Sequence, residues 1–315
     1  MTDEPNLKVL GFGAILWDDI SPAATAPQSV AGEANIGGAV FNVIVHLRKL
    51  GYAAYMSSAI GRDQLGERTW QEVDRLGIQR NFISSVDAPT CLIEVSFDDD
   101  GLPRYSSPDV VSWDQIESTG APVEDVDALD FDYLVFGTLE QRSQVSRATL
   151  RSLIEGARFK RVYLDLTLRG DFYDRDLLDY SMRHSDIVKM NDDEALVVNE
   201  VFGFGQPDPK DLVSTIAREF DSDLVCITLG SNGAVAGDRS SVIHSPAYRV
   251  EVVDTVGCGD AFSAGLLYQL GTGASLVAAC DFGNKLGALI SSKRSSIPDY
   301  DLSELDRLTE LLEPS

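Results

Sequence analysis

Apolar residues along this 315-residue chain fall in short runs, separated by turns rich in glycine and aspartate. Val9 to Ile15 reads as a strand that ends at Leu16-Trp17-Asp18-Asp19. Ser21 to Ala34, broken by Pro22 and Pro27, is small and irregular and reads as a covering flap. Gly37-Gly38-Ala39-Val40-Phe41-Asn42 then opens a helix that runs through Val43, Val45, Leu47 and Leu50 to a stop at Gly51. Ala53 to Ile60 is a strand and Glu67 to Leu76 a helix stopped by Gly77. Cys91 to Phe97 alternates like a half-exposed strand, Asp98-Asp99-Asp100-Gly101 is a hairpin turn, and Pro103 to Val111 is the return.

After Trp113 the rhythm becomes strand–helix. Strands are predicted at Tyr133 to Gly137, Arg161 to Leu166, Ile187 to Met190 and Leu224 to Gly230. Helices are predicted at Ser143 to Ala157, Asp174 to Arg183, after Asn191, and at Leu212 to Phe220. Such alternation implies right-handed crossovers and a mostly parallel sheet covered by helices on both faces. The fold class is therefore α/β, in one domain over 1–315, with no linker or repeat. The antiparallel pair interrupts the rhythm, so the segments at about 17–36 and 90–112 form a small β lid. An exposed edge on that lid favours a homodimer.

Composition narrows the function. With 44% apolar residues the chain can bury a full core, yet no run approaches the ~20 needed to span a bilayer. Met1 to Leu7 lacks the basic start and apolar stretch of a secretion signal. Cys91, Cys226, Cys258 and Cys280 are scattered, without spacing for zinc or a disulfide framework, so a cytoplasmic setting is expected. The net charge of -24 argues against nucleic acid, which is bound through Lys and Arg at phosphates. An anionic substrate must then find a local positive site.

One stretch offers such a site. Asp254-Thr255-Val256-Gly257-Cys258-Gly259-Asp260 joins a predicted strand end at Glu251-Val252-Val253 to a small-residue helix over Ala261 to Leu270. The free N–H groups and partial positive charge of a helix start suit an anion. A carboxylate beside that anion makes electrostatic sense if Asp260 takes a proton there. It is also an ordinary residue for capping a helix, and these residues alone leave both readings standing. Elsewhere, Gly11-Phe12-Gly13 starts a dinucleotide fingerprint, but its third glycine would fall at Leu16, which rejects that reading. Asp18 follows a strand end, where ligands of open α/β sheets collect. Asn42 and His46 are four apart on one helix face. Asn42 can donate to and accept from a polyol, whereas a lone His46 reads as a satisfied core or helix-face residue.

With these pieces in place the chain resembles the PfkB carbohydrate kinases, the ribokinase-like sugar kinases, along nearly its whole length. Asp254 to Phe262 looks like the family's D-T-x-G-A-G-D signature. Gly37-Gly38 with Asn42, Gly61-Arg62-Asp63 with Gly66, Lys189-x-Asn191-x-x-Glu194 and Thr228-Leu229-Gly230-x-x-Gly233 stand in the expected places. Leu16-Trp17-Asp18, Phe136-Gly137-Thr138-Leu139 with Gln141-Arg142-Ser143, and Asp165-x-x-Leu168-Arg169 resemble the bacterial fructokinase-type branch. The resemblance implies a ribokinase-like, doubly wound sheet and ATP-dependent transfer of a phosphoryl group to a sugar hydroxyl. It implies a substrate site from Asp18, Gly37, Gly38, Asn42 and Glu140, and a reaction centre from Asp260, Gly257, Cys258, Gly259 and Arg169. Asn191, Thr228, Gly230, Gly233 and Asn284 would lie at the nucleotide, Glu194 would steer Mg2+ through water, and K+ would bind near the signature loop.

Four positions depart from the family pattern. Ala14 stands where this branch has Glu, Thr167 where it has Asn, Cys258 where it has Ala, and Ser295-Ser296 where it often has Gly-Ala. Cys258 invites two readings: a small apolar stand-in for Ala, or a thiol made reactive by the helix start.

Overall fold

A computed structural model describes residues 7–19, 34–97, 103–106 and 108–309; the Ser21 to Ala34 flap, apart from Ala34, and the Asp98 to Gly101 turn lie outside them. The apolar run at Val9 divides into two strands, β1 (Lys8–Phe12) and β2 (Leu16–Asp19), which belong to different sheets. The chain continues through β3 (Asn35–Gly37), α1 (Ala39–Lys49), β4 (Ala53–Gly61), α2 (Gln64–Arg75), β5 (Gln79–Val86), β6 (Leu92–Phe97) and β7 (Pro103–Ser106). Next come α3 (Val123–Asp127), β8 (Phe131–Phe136), α4 (Gln144–Gly156), β9 (Phe159–Asp165), α5 (Arg175–Arg183), β10 (Ile187–Asn191) and α6 (Asp192–Phe202). The last part holds α7 (Pro209–Glu219), β11 (Leu224–Thr228), β12 (Ala234–Gly237), β13 (Val242–Ser245), α8 (Cys258–Gly271) and α9 (Leu276–Ser291).

Among the described residues there are two sheets. The larger has the order β13-β12-β11-β10-β9-β8-β1-β4-β5, parallel from β11 to β5 with β12 and β13 antiparallel at one edge. From β1 the chain builds outward through β4 and β5, then returns to β8 on the other side. The order therefore reverses between β1 and β8, and a crevice opens beyond the carboxyl ends of those strands.

Side chains alternate across the sheet, as strand geometry demands. Leu10, Phe12, Leu134 and Phe136 enter one core with Leu150, Leu177, Val198 and Ile216 from α4 to α7. Val9, Tyr133 and Val135 enter the other with Val43, Leu47, Leu266 and Ala279 from α1, α8 and α9. Helix α8 is apolar nearly all round, and Ala261 to Leu267 are buried. Gly265 lets α9 come close: a Cβ there would stand 2.9 Å from the Gly283 Cα. The core thus fixes the helix that carries Asp260.

The smaller sheet has the order β3-β2-β6-β7, and its strands fall within the two segments read as a lid. Its centre differs from the simple antiparallel hairpin expected. The hairpin β6–β7 is joined to β2 by a parallel pairing, Trp17 opposite Leu92 and Asp18 opposite Ile93. Trp17 anchors the sheet by donating from Nε1 to Thr69 Oγ1 at 2.8 Å. No helix among the described residues is long and apolar enough to cross a membrane.

The strand expected at Glu251 to Val253 is absent. Those residues are exposed, with a bend at Val253, and Val253 and Asp254 donate their N–H groups to the Ser291 carbonyl at 2.8 and 3.1 Å. With no neighbouring strand, the helix end of α9 supplies their acceptor.

Candidate active site

The crevice is lined by the segments that leave the parallel strands: Gly13 to Asp18 after β1, Gly137 to Glu140 after β8, Asp165 to Arg169 around the end of β9, then Asn191 and Thr228. Asn191 and Thr228 are register partners, so the last two sit side by side.

The wall on the α1 side begins at Gly38. Its φ of 124° is open only to glycine, and a Cβ there would lie 2.3 Å from the Ala14 carbonyl oxygen. This contact fixes where α1 starts and hence where Asn42 stands. Replacing Gly38 by Ala is expected to destabilise the fold by more than about 1 kcal/mol, read as a fall in the thermal unfolding midpoint. Asp18 is half-buried nearby, and burial pushes its carboxyl up to about 6 while the charge of Arg169 pulls it down.

Asn42, buried on α1, donates from Nδ2 to Asp260 Oδ2 at 2.7 Å. Residues 218 apart in sequence thus join α1 to the first turn of α8. Asp260 keeps some surface at the crevice, but the protein packed around its carboxyl pushes it up to about 7. Burial is the main cause and Asp165 adds to it, while Asn42, Lys189 and Arg169 oppose. A carboxylate with its pKa near neutrality is suited to accept a proton.

Beneath it lies a charged network that motif reading did not find. Lys189 on β10 donates to Asp165 Oδ1 at 2.9 Å, and Ser263 on α8 donates to Asp165 Oδ2 at 2.6 Å. Both charged residues are buried, at 5% and 0% exposure. Burial works against the Lys189 charge, but Asp165, Glu194 and Asp260 outweigh it and hold its pKa above the ordinary lysine value. A Cβ on Gly259 would stand 3.2 Å from the Lys189 ammonium, which places a cation directly under the helix start. This is the local positive site that a chain of net charge -24 needs.

The loop itself is closely built. Helix α8 begins at Cys258 with Gly257 as its cap at φ 79°, three residues earlier than the sequence suggests. A Cβ on Gly257 would fall 2.5 Å from the Ser296 Cβ, so only glycine lets the 295–296 turn approach. The Cys258 N–H turns back to the Thr255 carbonyl at 3.3 Å. The Gly259 and Asp260 N–H groups belong to the first helical turn, where backbone donors have no intrahelical partner and suit an anion. The surroundings of Cys258 oppose the lowered pKa that a helix start can give a thiol. Burial, with Asp254 and Asp260, pushes it up to about 12.

Arg169 is exposed, with Nη1 donating to its neighbour Leu168 at 3.0 Å, and its charge reaches both Asp18 and Asp260. Glu194 is buried and closes a capping box with Asn191: Oε2 accepts from the Asn191 N–H at 2.9 Å and Oε1 from the Leu168 N–H at 3.1 Å. Both oxygens are engaged by backbone, and no group of three metal-ligating side chains occurs among the described residues. The residues therefore fit a magnesium ion held by phosphates and water, with Glu194 as a distant charge.

Three expected residues are placed differently. Glu140 does not open to substrate: it is 4% exposed, and its Oε1 accepts from the Ala14 N–H at 2.8 Å. It supplies a carboxylate at the turn where Ala14 has none. Asn284 spends its amide on Ser245 and Pro246 at 3.0 to 3.1 Å, and Gly233 packs under the same turn, so both hold the turn after β13. Gly230 and Thr228 remain at the open rim. Gly37, with its missing Cβ 3.4 Å from Asp18 Oδ2 and 3.6 Å from Asn42 Oδ1, sits between the two expected sugar contacts.

A family model described as pfkB family carbohydrate kinase matches residues 13–301. The chain is 26% identical over 304 residues to an ATP-dependent ribose-1-phosphate kinase of Halopiger xanaduensis, covering 92% of this chain and 94% of that one. It is 27% identical over 241 residues to a fructokinase of Rhizobium leguminosarum, covering 74% and 71%. Among solved structures, aminoimidazole riboside kinase of Salmonella enterica, complexed with aminoimidazole riboside and an ATP analog, superposes with a TM-score of 0.78 at 22% identity over 95% and 98% of the two chains. Fructokinase of Vibrio cholerae, in a fructose, ADP and calcium form, gives 0.78 at 20% identity over 98% and 100%.

Proposed function

We propose that the chain, which belongs to the pfkB family of carbohydrate kinases, transfers the γ-phosphoryl group of ATP to a hydroxyl of a neutral ketose, with fructose the first to try. The observation that carries this reading is the 2.7 Å bond from Asn42 to Asp260, which puts a polyol-binding amide and a proton acceptor at one point. A sugar hydroxyl there would lie beside the base while Asp18 and Asn42 hold its neighbours. Asp260 would take the hydroxyl proton as the oxygen attacks. The Gly259 and Asp260 N–H groups, with Arg169 opposite and Lys189 below, would balance charge on the transferring group. Magnesium, when bound, would be steered through water by Glu194 and would neutralise charge on the phosphates. The small sheet, carrying Asp18 on β2, would cover the sugar and keep water from competing as acceptor. The fructokinase likenesses and the acidic Asp18 beside Asn42, which disfavours an anionic acceptor, support a neutral ketose. The intact Asp260, Asn191 and Glu194 argue against a sugar-binding regulator without turnover.

One observation favours a second reading. Arg169 lies near enough to bias the Asp18 carboxyl, so an acidic or phosphorylated sugar could be met at the sugar end. A panel assay separates the two. ATP consumption in Mg2+, with and without K+, is measured against fructose, ribose, ribose-1-phosphate, nucleosides and 2-keto-3-deoxy sugar acids. The ketose reading expects kcat/KM for fructose at least tenfold above the others. Preference for an anionic acceptor would overturn it and assign Arg169 to substrate.

A further inference from the structure

The base is held by more than Asn42. Ser296, in the turn after α9, reaches Asn42 Oδ1 with its hydroxyl at 3.2 Å. The Ser296 carbonyl oxygen lies 2.9 Å from His46 Nε2, and Tyr300 Oη lies 3.0 Å from His46 Nδ1. A hydrogen-bonded series Tyr300–His46–Ser296–Asn42 therefore ends on Asp260.

Chemistry dictates the direction of every bond. An ionised carboxylate only accepts, so Asn42 presents its NH2 to Asp260. Its carbonyl oxygen then faces Ser296, whose hydroxyl must donate. The Ser296 carbonyl only accepts, so His46 carries its proton on Nε2, and the bare Nδ1 accepts from Tyr300. His46 is buried at 0% exposure, and burial lowers it to about 4 against the opposing pull of the Ser296 carbonyl, so one neutral tautomer serves near pH 7. The turn is also fixed from the other side. Ser295 has a φ of 78°, unusual for a non-glycine residue, and the Ser296 Cα would lie 2.7 Å from a Cβ on Gly257. The 295–296 turn touches both the anion loop and the partner of the base.

An amide is nearly symmetric in shape, so hydrogen bonding decides which end faces a neighbour. Reversed, Asn42 would point its oxygen at Asp260, an arrangement that a carboxylate tolerates only when protonated. We propose that Ser296 is a positioning residue for the base: its hydroxyl locks the Asn42 amide with the NH2 end toward Asp260. This role rests on the kinase reading for its consequence, but the geometry it asserts does not. Without Ser296 the reversed amide becomes accessible and the protonated base is favoured. Hydrogen bonds to the charged form lower a carboxyl pKa, so losing that orientation raises it. The other charged groups facing Asp260, namely Asp165 from β9, Lys189 from β10 and Arg169 after β9, are untouched by the substitution, as is Cys258 at the start of α8. On the His46 side, Lys49 and Tyr300 are the facing titratable groups.

The test uses the full chain with Ser296→Ala, His46→Gln and His46→Leu. In ligand-free protein, the Asp260 carboxyl carbon is titrated by NMR. Ser296→Ala is expected to move its midpoint upward by on the order of one pH unit. In turnover assays at pH 6.5, kcat is expected to fall about tenfold while the sugar KM stays within about twofold. His46→Gln, whose amide can still donate to the Ser296 carbonyl, is expected to behave as wild type, and His46→Leu to share the Ser296→Ala defect. An unmoved midpoint in Ser296→Ala would overturn the proposal, as would equal behaviour of the Gln and Leu variants. A wild-type chain that phosphorylates no acceptor would sink the kinase reading instead, and the titration would still decide the role of Ser296.

Discussion

Asp260→Asn is expected to lower kcat by about 10²- to 10⁴-fold while the sugar still binds within a few-fold of wild type. Asn matches Asp in shape and can keep an oxygen toward the Asn42 NH2, so the pocket survives. What it loses is the capacity to take a proton. In the wild type, kcat/KM should rise with pH through a limb near pH 7, because the base acts only when ionised and its pKa lies at about 7. The residual activity of the variant should lack that limb. A pH–rate profile for both enzymes checks this, and near-normal turnover by the variant would remove Asp260 from the role.

The same substitution has a consequence for stability whose sign differs from the usual carboxylate case. The folded-state pKa of Asp260 is raised above its ordinary 3.8, so between about pH 4 and 7 the fold binds more protons than the unfolded chain. Asp260 therefore costs stability as pH rises through that window. Asp260→Asn should unfold at higher urea than wild type at pH 8, with the gap closing at pH 5. Loss of activity with gain of stability is the pattern expected of a functional group buried at the expense of the fold.

Much of this was legible from residue order, and the limits are physical. The strands β8 to β11 are dense apolar runs between helices and declare themselves. β5, Gln-Arg-Asn-Phe-Ile-Ser-Ser-Val, does not, because an edge strand has one open side and carries polar residues there. Glu251 to Val253 looks like a strand because its composition is right, yet pairing needs a neighbour that composition cannot supply. The motif residues Asp260, Asn42 and Glu194 carry their spacing with them. Asp165, Lys189 and Ser263 meet only because β9, β10 and α8 pack together, with Ser263 and Asp165 98 positions apart. Ser296 was visible only as a departure from the family's Gly-Ala; its contact with Asn42 spans 254 positions. Glu140 sits next to a motif and was misplaced for that reason: sequence position puts it at the crevice, and the backbone N–H of Ala14 turns it inward.

Lys189→Met is expected to destabilise the protein by about 3–5 kcal/mol, because it strands the Asp165 carboxylate in a buried site. Met fills similar volume, so the loss would come from charge and not from a cavity. Ser263 would still donate to Asp165, but one hydroxyl does not replace an ammonium at 2.9 Å. The deficit should be largest at high pH and shrink in acid, where the stranded group can take up a proton. Adding Asp165→Asn should restore most of the stability, since removing both charges leaves nothing uncompensated and the amide oxygen can still accept from Ser263. Urea unfolding of the single and double variants at pH 5 and pH 8 measures both effects. Activity should not return with stability. Lys189 lies under Gly259, so the double variant would fold around an anion loop without its cation. A double variant with wild-type turnover would reduce the Asp165–Lys189 pair to scaffolding. A stable but slow one would show that the buried cation acts on the reaction as well as on the fold.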